Sequence, residues 1–203
     1  MAKERGYKET QTMNNIHPSS VVHLDANLGD EIDIGPFCTI GAGVRIGDGC
    51  KLRSHVVIEG EGTTIGENNA FYPFSIIGVD PQDLKYHNEV TKLTIGKNNV
   101  FRESVSVHRG TLSGGGETRI GDNNLLMSYV HIGHDCIIGN DNILAAYVGV
   151  AGHVVIDDHV QLSGQCGVVQ FLRIGSYSYI GAGSIIDKNI PPYTTGYGNR
   201  IEI

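Results

Sequence analysis

Four histidines, a glycine and a glutamine carry the pattern in this sequence that could do chemistry. His131 and His134 stand in His131-Ile-Gly-His-Asp-Cys136, Gly152 and His153 in Ala151-Gly-His153, and Gln170 precedes Phe171; His108 lies upstream. His134, Gly152 and Gln170 are separated by steps of 18 residues. A neutral imidazole, with an ordinary pKa of about 6.5, can take a proton from a substrate hydroxyl. A backbone N–H at a glycine can receive the oxyanion of a thioester under attack, and the missing side chain lets a substrate approach closely. No Ser-His-Asp or Cys-His pairing is evident, since the nearest thiol, Cys136, is expected to point into a core, and this argues against a covalent acyl-enzyme. A histidine base and a backbone oxyanion donor suffice for direct acyl transfer.

Those steps of eighteen have meaning only if the chain winds with that period. Aliphatic residues do recur every six positions, from Ile16 through Val22, Leu28 and Ile34 to Ile58, then at Ile65, Phe71 and Ile77, at Ile95, Phe101 and Val107, and from Ile120 to Ile186. That makes 26 hexads. Six is neither the helical period nor a plain strand alternation, so each hexad reads as a short strand and a corner. The fold class expected is all-β: a parallel β-helix, one domain over 16–203, preceded by a disordered polar tail over 1–15. The fifth position of each hexad is expected to face inward and be small or apolar. All four cysteines, Cys38, Cys50, Cys136 and Cys166, occupy it, which makes them core residues rather than ligands or nucleophiles.

The repeat is interrupted twice, and interruptions of a regular scaffold are where function gathers. Ile77 and Ile95 are 18 residues apart, and Val107 and Ile120 are 13 apart, which places inserted loops near 78–94 and 108–119. If three hexads make one coil, Ile77, Val107, Ile132, Val150 and Val168 open hexads on one face, and both insertions leave from it. His134, Gly152 and Gln170 then form a column on that face at about 5 Å per coil. His153 lies one place along from Gly152, His108 on the coil below His134, and His131 at the corner just before the face.

Composition narrows the partners. The formal net charge of -7 disfavours nucleic acid, whose phosphates call for clustered Lys and Arg. No apolar run approaches the roughly 18 residues of a membrane span, and Met1 to Asn15 has no signal-peptide pattern. Absence of a CxxC pair gives no sign of an oxidising compartment, so a cytoplasmic location is expected.

The segments Asp83-Leu-Lys-Tyr86, Arg102-Glu-Ser-Val105, His108-Arg-Gly-Thr111, Gly114-Gly-Gly116, Asn124-Leu-Leu-Met127, His131 to Cys136, Ala151-Gly-His153 and Gln170-Phe171 resemble the acyl-carrier-protein–UDP-N-acetylglucosamine O-acyltransferase family, in order over roughly Ile16 to Asn199. The resemblance implies three hexads per coil, about nine coils, a left-handed turn and a homotrimer with sites between subunits. It implies transfer of a 3-hydroxyacyl chain from acyl carrier protein to the 3-position of UDP-N-acetylglucosamine, the first step of lipid A biosynthesis. No cofactor or metal is implied beyond the thioester co-substrate. Residue by residue, His134 matches the general base and Gly152 the oxyanion donor. Asp83, Lys85, His108, His131, His153 and Gln170 match substrate-contacting positions. Asn199 and Arg200 are expected near the nucleotide, because the family's usual C-terminal helical segment is absent from this sequence. A histidine that usually precedes Gln-Phe is replaced by Val169, and Ala182 stands at the family's acyl-length position, implying a somewhat shorter chain.

Two other readings use the same residues. One is a related hexapeptide acyltransferase acting on an amino sugar. The other is a zinc hydratase of the γ-carbonic-anhydrase type, with His108, His131 and His134 as ligands.

Overall fold

In the computed structural model, which describes residues 13–198, the chain is a left-handed parallel β-helix. Its three faces are parallel sheets of ten, nine and eight strands among the described residues. Each strand pairs with the strand one coil away, at a spacing of 18 residues in the regular coils, as where Ile132 faces Val150 and Val150 faces Val168. Every aliphatic residue that marks a hexad lies in a strand. One strand, Thr195–Gly196, has no such marker, and Ile190 makes an isolated bridge to Ile174 where the period slips after Ile186.

The expected tail falls mostly on residues 1–12, outside the described ones. Asn14 and Asn15 belong to the first coil instead. Asn14 Nδ2 donates to Gly29 O at 2.8 Å while its Oδ1 accepts from Ile32 N at 2.9 Å, and Asn15 pairs with Asp33.

The interior is a column of marker residues and fifth-position residues. Val44, Val56, Val105, Val130, Val148, Val154 and Val160 are fully buried beside the aliphatic markers, and all four cysteines are buried and free. Phe71 and Phe101, on successive coils, stack with centroids 4.8 Å apart. Asparagine also occupies the fifth position, at Asn69, Asn99, Asn124 and Asn142. Each Oδ1 accepts the backbone N–H one coil up, as Asn99 Oδ1 does from Asn124 N at 2.8 Å. Buried amides are tolerable there because the ladder supplies partners for every Oδ1 and for Nδ2 of Asn69, Asn99 and Asn124, Asn142 Nδ2 alone of the four being left unpaired. Corner residues adopt the left-handed conformation, with φ of 59° at Asp135, 62° at His153 and 65° at Phe171.

Both insertions leave the nine-stranded face, as the hexad count requires. Flanking strands lengthen to Ile76–Val79, Lys92–Ile95 and Glu117–Ile120, so the irregular stretches shorten to 80–91 and 109–116. The second contains one 3₁₀ turn, Leu112–Gly114, capped by Thr111.

Candidate functional site

The site is built on four successive strands of the nine-stranded face, Ser106–His108, His131–Ile132, Gly149–Val150 and Gly167–Val168. His134, Gly152 and Gln170 follow the last three at the same offset and line one cleft of about 710 Å³. The stacking is close enough to be felt: a Cβ on Gly152 would lie 2.8 Å from His134 Nε2. Gly152 N–H donates to no group among the described residues, so it is available to a ligand.

His134 is fixed through its other nitrogen. Nδ1 lies 2.8 Å from Asp135 Oδ2, whose side chain is fully buried. An ionised carboxylate only accepts, so Nδ1 carries the hydrogen and Nε2 keeps the lone pair. Asp135 is itself held from the second insertion: Thr111 N donates to Oδ1 at 2.8 Å and Thr111 Oγ1 to Oδ2 at 2.6 Å. Asp135 N donates to Thr118 Oγ1 at 2.8 Å. The insertion thus positions the imidazole through a carboxylate.

His153 packs edge-on against His134, with centroids 5.0 Å apart, and its ring stacks on Phe171 at 4.3 Å. His131 lies in its strand rather than at the corner, because the strand begins one residue before the buried marker. Its Nδ1 pairs with Ser106 Oγ at 2.9 Å, and its ring meets His108 at 5.2 Å. Burial holds both His108 and His131 below the ordinary imidazole pKa, with His134 adding to the effect in each case. Both are therefore neutral near pH 7, when neutral imidazoles can share a wall without repulsion.

The first insertion arches over the cleft. A second cavity of about 800 Å³, continuous with the first at His134 and Gln170, is lined by Gln82, Asp83, Leu84 and Lys85 on one side and Ser113 and Gly114 on the other. Lys85 is exposed, while Asp83 is half-buried and accepts from Lys85 N at 2.9 Å. The arch is tied down by Arg109, whose buried guanidinium donates to Gly78 O, Asp80 Oδ1 and Tyr86 Oη, and by His108 Nδ1, which bonds Asp80 O. Ala182 is exposed on the corner leading to the strand Ile185–Ile186 and is not among the cleft's lining residues. Asn199 and Arg200 lie outside the described residues.

Sequence reasoning missed Thr111 and Arg109, and left open whether Asp135 orients the histidine or only ends a turn. Their signal was present as His108-Arg-Gly-Thr111 and as an acid directly after the histidine, but their meeting across 24 residues follows only from the path of the insertion. Metal chemistry gains one candidate set: His134, Asp135 and His153 offer ligand atoms within 4.8 Å of one another. Both Asp135 oxygens already accept from Thr111, however, and Oδ2 from His134 as well, which is the bonding of an orienting carboxylate. Of the three histidines expected in the hydratase reading, His108 and His131 have Nδ1 engaged by Asp80 and Ser106.

Known proteins resemble the chain throughout. The family model "Bacterial transferase hexapeptide (six repeats)" matches residues 25–60 and 117–152. The acyl-[acyl-carrier-protein]–UDP-N-acetylglucosamine O-acyltransferase of Myxococcus xanthus is 46% identical over 191 residues, covering 94% of this chain and 74% of that protein. The enzyme of the same name from Saccharophagus degradans is 54% identical over 125 residues, 62% of this chain and 48% of its own length. Among solved structures, LpxA from Acinetobacter baumannii superposes with a TM-score of 0.90 at 49% identity, over 92% of this chain and 72% of that one. LpxA of Bacteroides fragilis, described as a UDP-N-acetylglucosamine acyltransferase, gives 0.90 at 39% identity over 92% and 72%.

Proposed function

Because the chain belongs to the family of acyl-[acyl-carrier-protein]–UDP-N-acetylglucosamine O-acyltransferases, we propose that it moves a 3-hydroxyacyl group from acyl carrier protein to the sugar 3-hydroxyl, opening lipid A synthesis in the cytoplasm. The observation that carries the mechanism is the stacking of His134 beside Gly152, with Nε2 turned to the cleft and Nδ1 held by Asp135.

His134 Nε2 takes the hydroxyl proton as the sugar oxygen attacks the thioester carbon. The C–O bond forms, negative charge moves to the carbonyl oxygen, and Gly152 N–H donates to it. Collapse breaks the C–S bond, and the imidazolium returns the proton to the departing thiolate. Asp135 holds the tautomer and stabilises the transient imidazolium. The thioester supplies the activated acyl group, so acyl carrier protein is the co-substrate the chemistry calls for. Lys85 brings positive charge to the anionic nucleotide, and Asp83, His108, His131, His153 and Gln170 contact substrate along the same wall.

A homotrimer completes the cleft in this reading. Its support is a column of exposed rings on the corner entering the site face. Phe37, His55 and Phe74 lie with successive centroids 5.0 Å apart, and Tyr129 stacks on Tyr147 at 4.8 Å. Exposed apolar columns of that kind mark protein contacts. No helix among the described residues is long and apolar enough to cross a membrane.

The test is acylation of UDP-N-acetylglucosamine by purified protein with 3-hydroxyacyl-acyl-carrier-protein. Mass spectrometry of the product should locate the acyl group on oxygen 3. Acylation only of a 3-amino analogue would favour the amino-sugar reading, and stoichiometric zinc with carbon dioxide hydration the hydratase reading.

A further inference from the structure

A cavity of about 240 Å³ lies at the base of the first insertion, with Glu61, Asp80, Tyr86, Glu89, Thr91 and Arg109 in its walls. None of its lining residues borders the two cavities that hold His134. Separate stretches of chain meet there. Glu61 comes from the coil below, Asp80 from the outgoing limb of the insertion, and Tyr86, Glu89 and Thr91 from the returning limb. Lys92 pairs with Gly62 across the ladder, so Thr91 stands one rung above Glu61, at about 4.8 Å.

Charge around this cavity is unbalanced. Arg109 is its one lining cation, and that guanidinium is bonded to Asp80 Oδ1, which also accepts from Tyr86 Oη. Glu61 and Glu89 form no ion pair among the described residues. One oxygen of Glu89, Oε2, accepts from His87 N at 2.7 Å. A second, independent feature is Thr91, which is 1% exposed and whose Oγ1 is buried without a hydrogen-bond partner. Buried hydroxyls are rarely left so, because nothing replaces the water they lose on folding. Two unpaired carboxylates and an orphaned hydroxyl around one cavity call for a ligand that takes oxygen lone pairs.

We propose that this cavity is a calcium site, with Glu61 and Glu89 as carboxylate ligands, Thr91 Oγ1 as a neutral one and water filling the remaining positions. The donors select the ion. All are oxygens, which disfavours the metals that prefer imidazole or thiolate. They come from separate stretches of chain in no regular polyhedron, which Ca²⁺ tolerates with about six to eight ligands, whereas Mg²⁺ demands a near-ideal octahedron. With so few carboxylates the site is weak, with Kd of about 10⁻⁴–10⁻³ M. A bound ion ties the returning limb to the coil beneath it, and so stiffens the arch whose Asp83 and Lys85 line the second cavity of the site. Binding of the ion does not depend on the acyl-transfer reading.

The experiment is calorimetric titration of CaCl₂ into the chelator-treated full chain, with MgCl₂ as a parallel arm and thermal melting as a second readout. One Ca²⁺ per chain is expected, with Mg²⁺ weaker by at least about tenfold. The melting temperature should rise by about 3–5 °C at about ten times Kd. Glu61→Gln combined with Glu89→Gln should weaken Ca²⁺ binding by at least about tenfold, while melting without calcium stays within a few degrees of the wild type. Thr91→Val keeps the shape and removes the hydroxyl. It should weaken Ca²⁺ binding several-fold and leave the calcium-free protein at least as stable. The proposal is overturned by the absence of saturable binding up to about 10 mM. It is equally overturned by equal affinity for both ions that the double variant does not change, or by a Thr91→Val protein that gains stability yet binds Ca²⁺ as tightly as the wild type.

Discussion

His134 Nδ1 and Asp135 Oδ2 lie 2.8 Å apart although the two residues are consecutive in the chain. Neighbours on a strand would point to opposite faces. Here Asp135 is a corner residue with φ of 59°, and the turn brings its carboxylate back beneath the imidazole. Aspartate tolerates that conformation better than most residues.

His134→Gln should lower kcat by about 10²–10⁴, the usual contribution of a general base. Asp135→Asn should lower kcat strongly with a small effect on KM, because an amide can donate to Nδ1 and favour the wrong tautomer. The double variant should be little worse than His134→Gln alone, since the two act as a unit. Steady-state kinetics on the three proteins checks this; additive losses would separate Asp135 from the base.

Gly152→Ala tests the close approach. Its methyl group would sit 2.7 Å from His134 Cε1, so the ring must move, although Gly152 has no left-handed φ and the backbone itself accepts alanine. Loss of kcat by at least about tenfold, with a melting temperature within a few degrees of wild type, is expected.

Stability should depend on pH through His108 and His131. Burial depresses both pKa values in the folded state, so the unfolded chain binds protons first as pH falls. Their stabilising contribution is present above the unfolded value of about 6.5 and is lost as pH drops from there towards the folded values. The slope reaches at most about 1.4 kcal/mol per pH unit for each group. Urea midpoints between about pH 5 and 8 should show it, and His131→Asn should reduce it; an unchanged slope would refute the assignment.

The thiol nearest the base should be inert. Cys136 is buried, and burial pushes its pKa up to about 12, so almost no thiolate exists at pH 8. Iodoacetamide should leave native activity intact, and Cys136→Ala should retain kcat within a few-fold. Rapid inactivation by alkylation at this residue would reopen a covalent route.

Sedimentation equilibrium should give three times the 21.9 kDa chain mass. Charges placed in the exposed ring column, as in Phe74→Glu with Tyr147→Glu, should yield monomers with kcat/KM reduced by at least about tenfold, because the cleft would lack its second wall. A wild-type monomer at full activity would discard the trimer.

Much of this was legible from spacing. In a solenoid the distance between two residues on one face is fixed by their separation modulo the coil, so once family resemblance supplies a coil of three hexads, Ile132, Val150 and Val168 can be stacked by counting, and His134, Gly152 and Gln170 with them. Cysteine at the fifth position was readable as core for the same reason. Counting fails where the period fails. Thr111 and Arg109 lie in a segment with no hexad, so nothing in their spacing predicts that one reaches Asp135 and the other Asp80. Thr195–Gly196 escaped because glycine holds the marker position and the inward side chain is missing. Asn14 and Asn15 read as tail by polarity, yet their side chains cap and pair the first coil, which hydrophobic periodicity cannot reveal.

The parallel ladder has a last consequence. Each strand bonds only to the strands directly above and below it, so the described residues form a one-dimensional stack in which each rung is stabilised by its neighbours. His134 and Thr111 lie deep within that stack. On the site face the strand Ile185–Ile186 is the last among the described residues, and Ile185 N donates onward to Gly198 O at 3.3 Å. Proton transfer is thus anchored on rungs held by a ladder from both sides, where local opening is costliest.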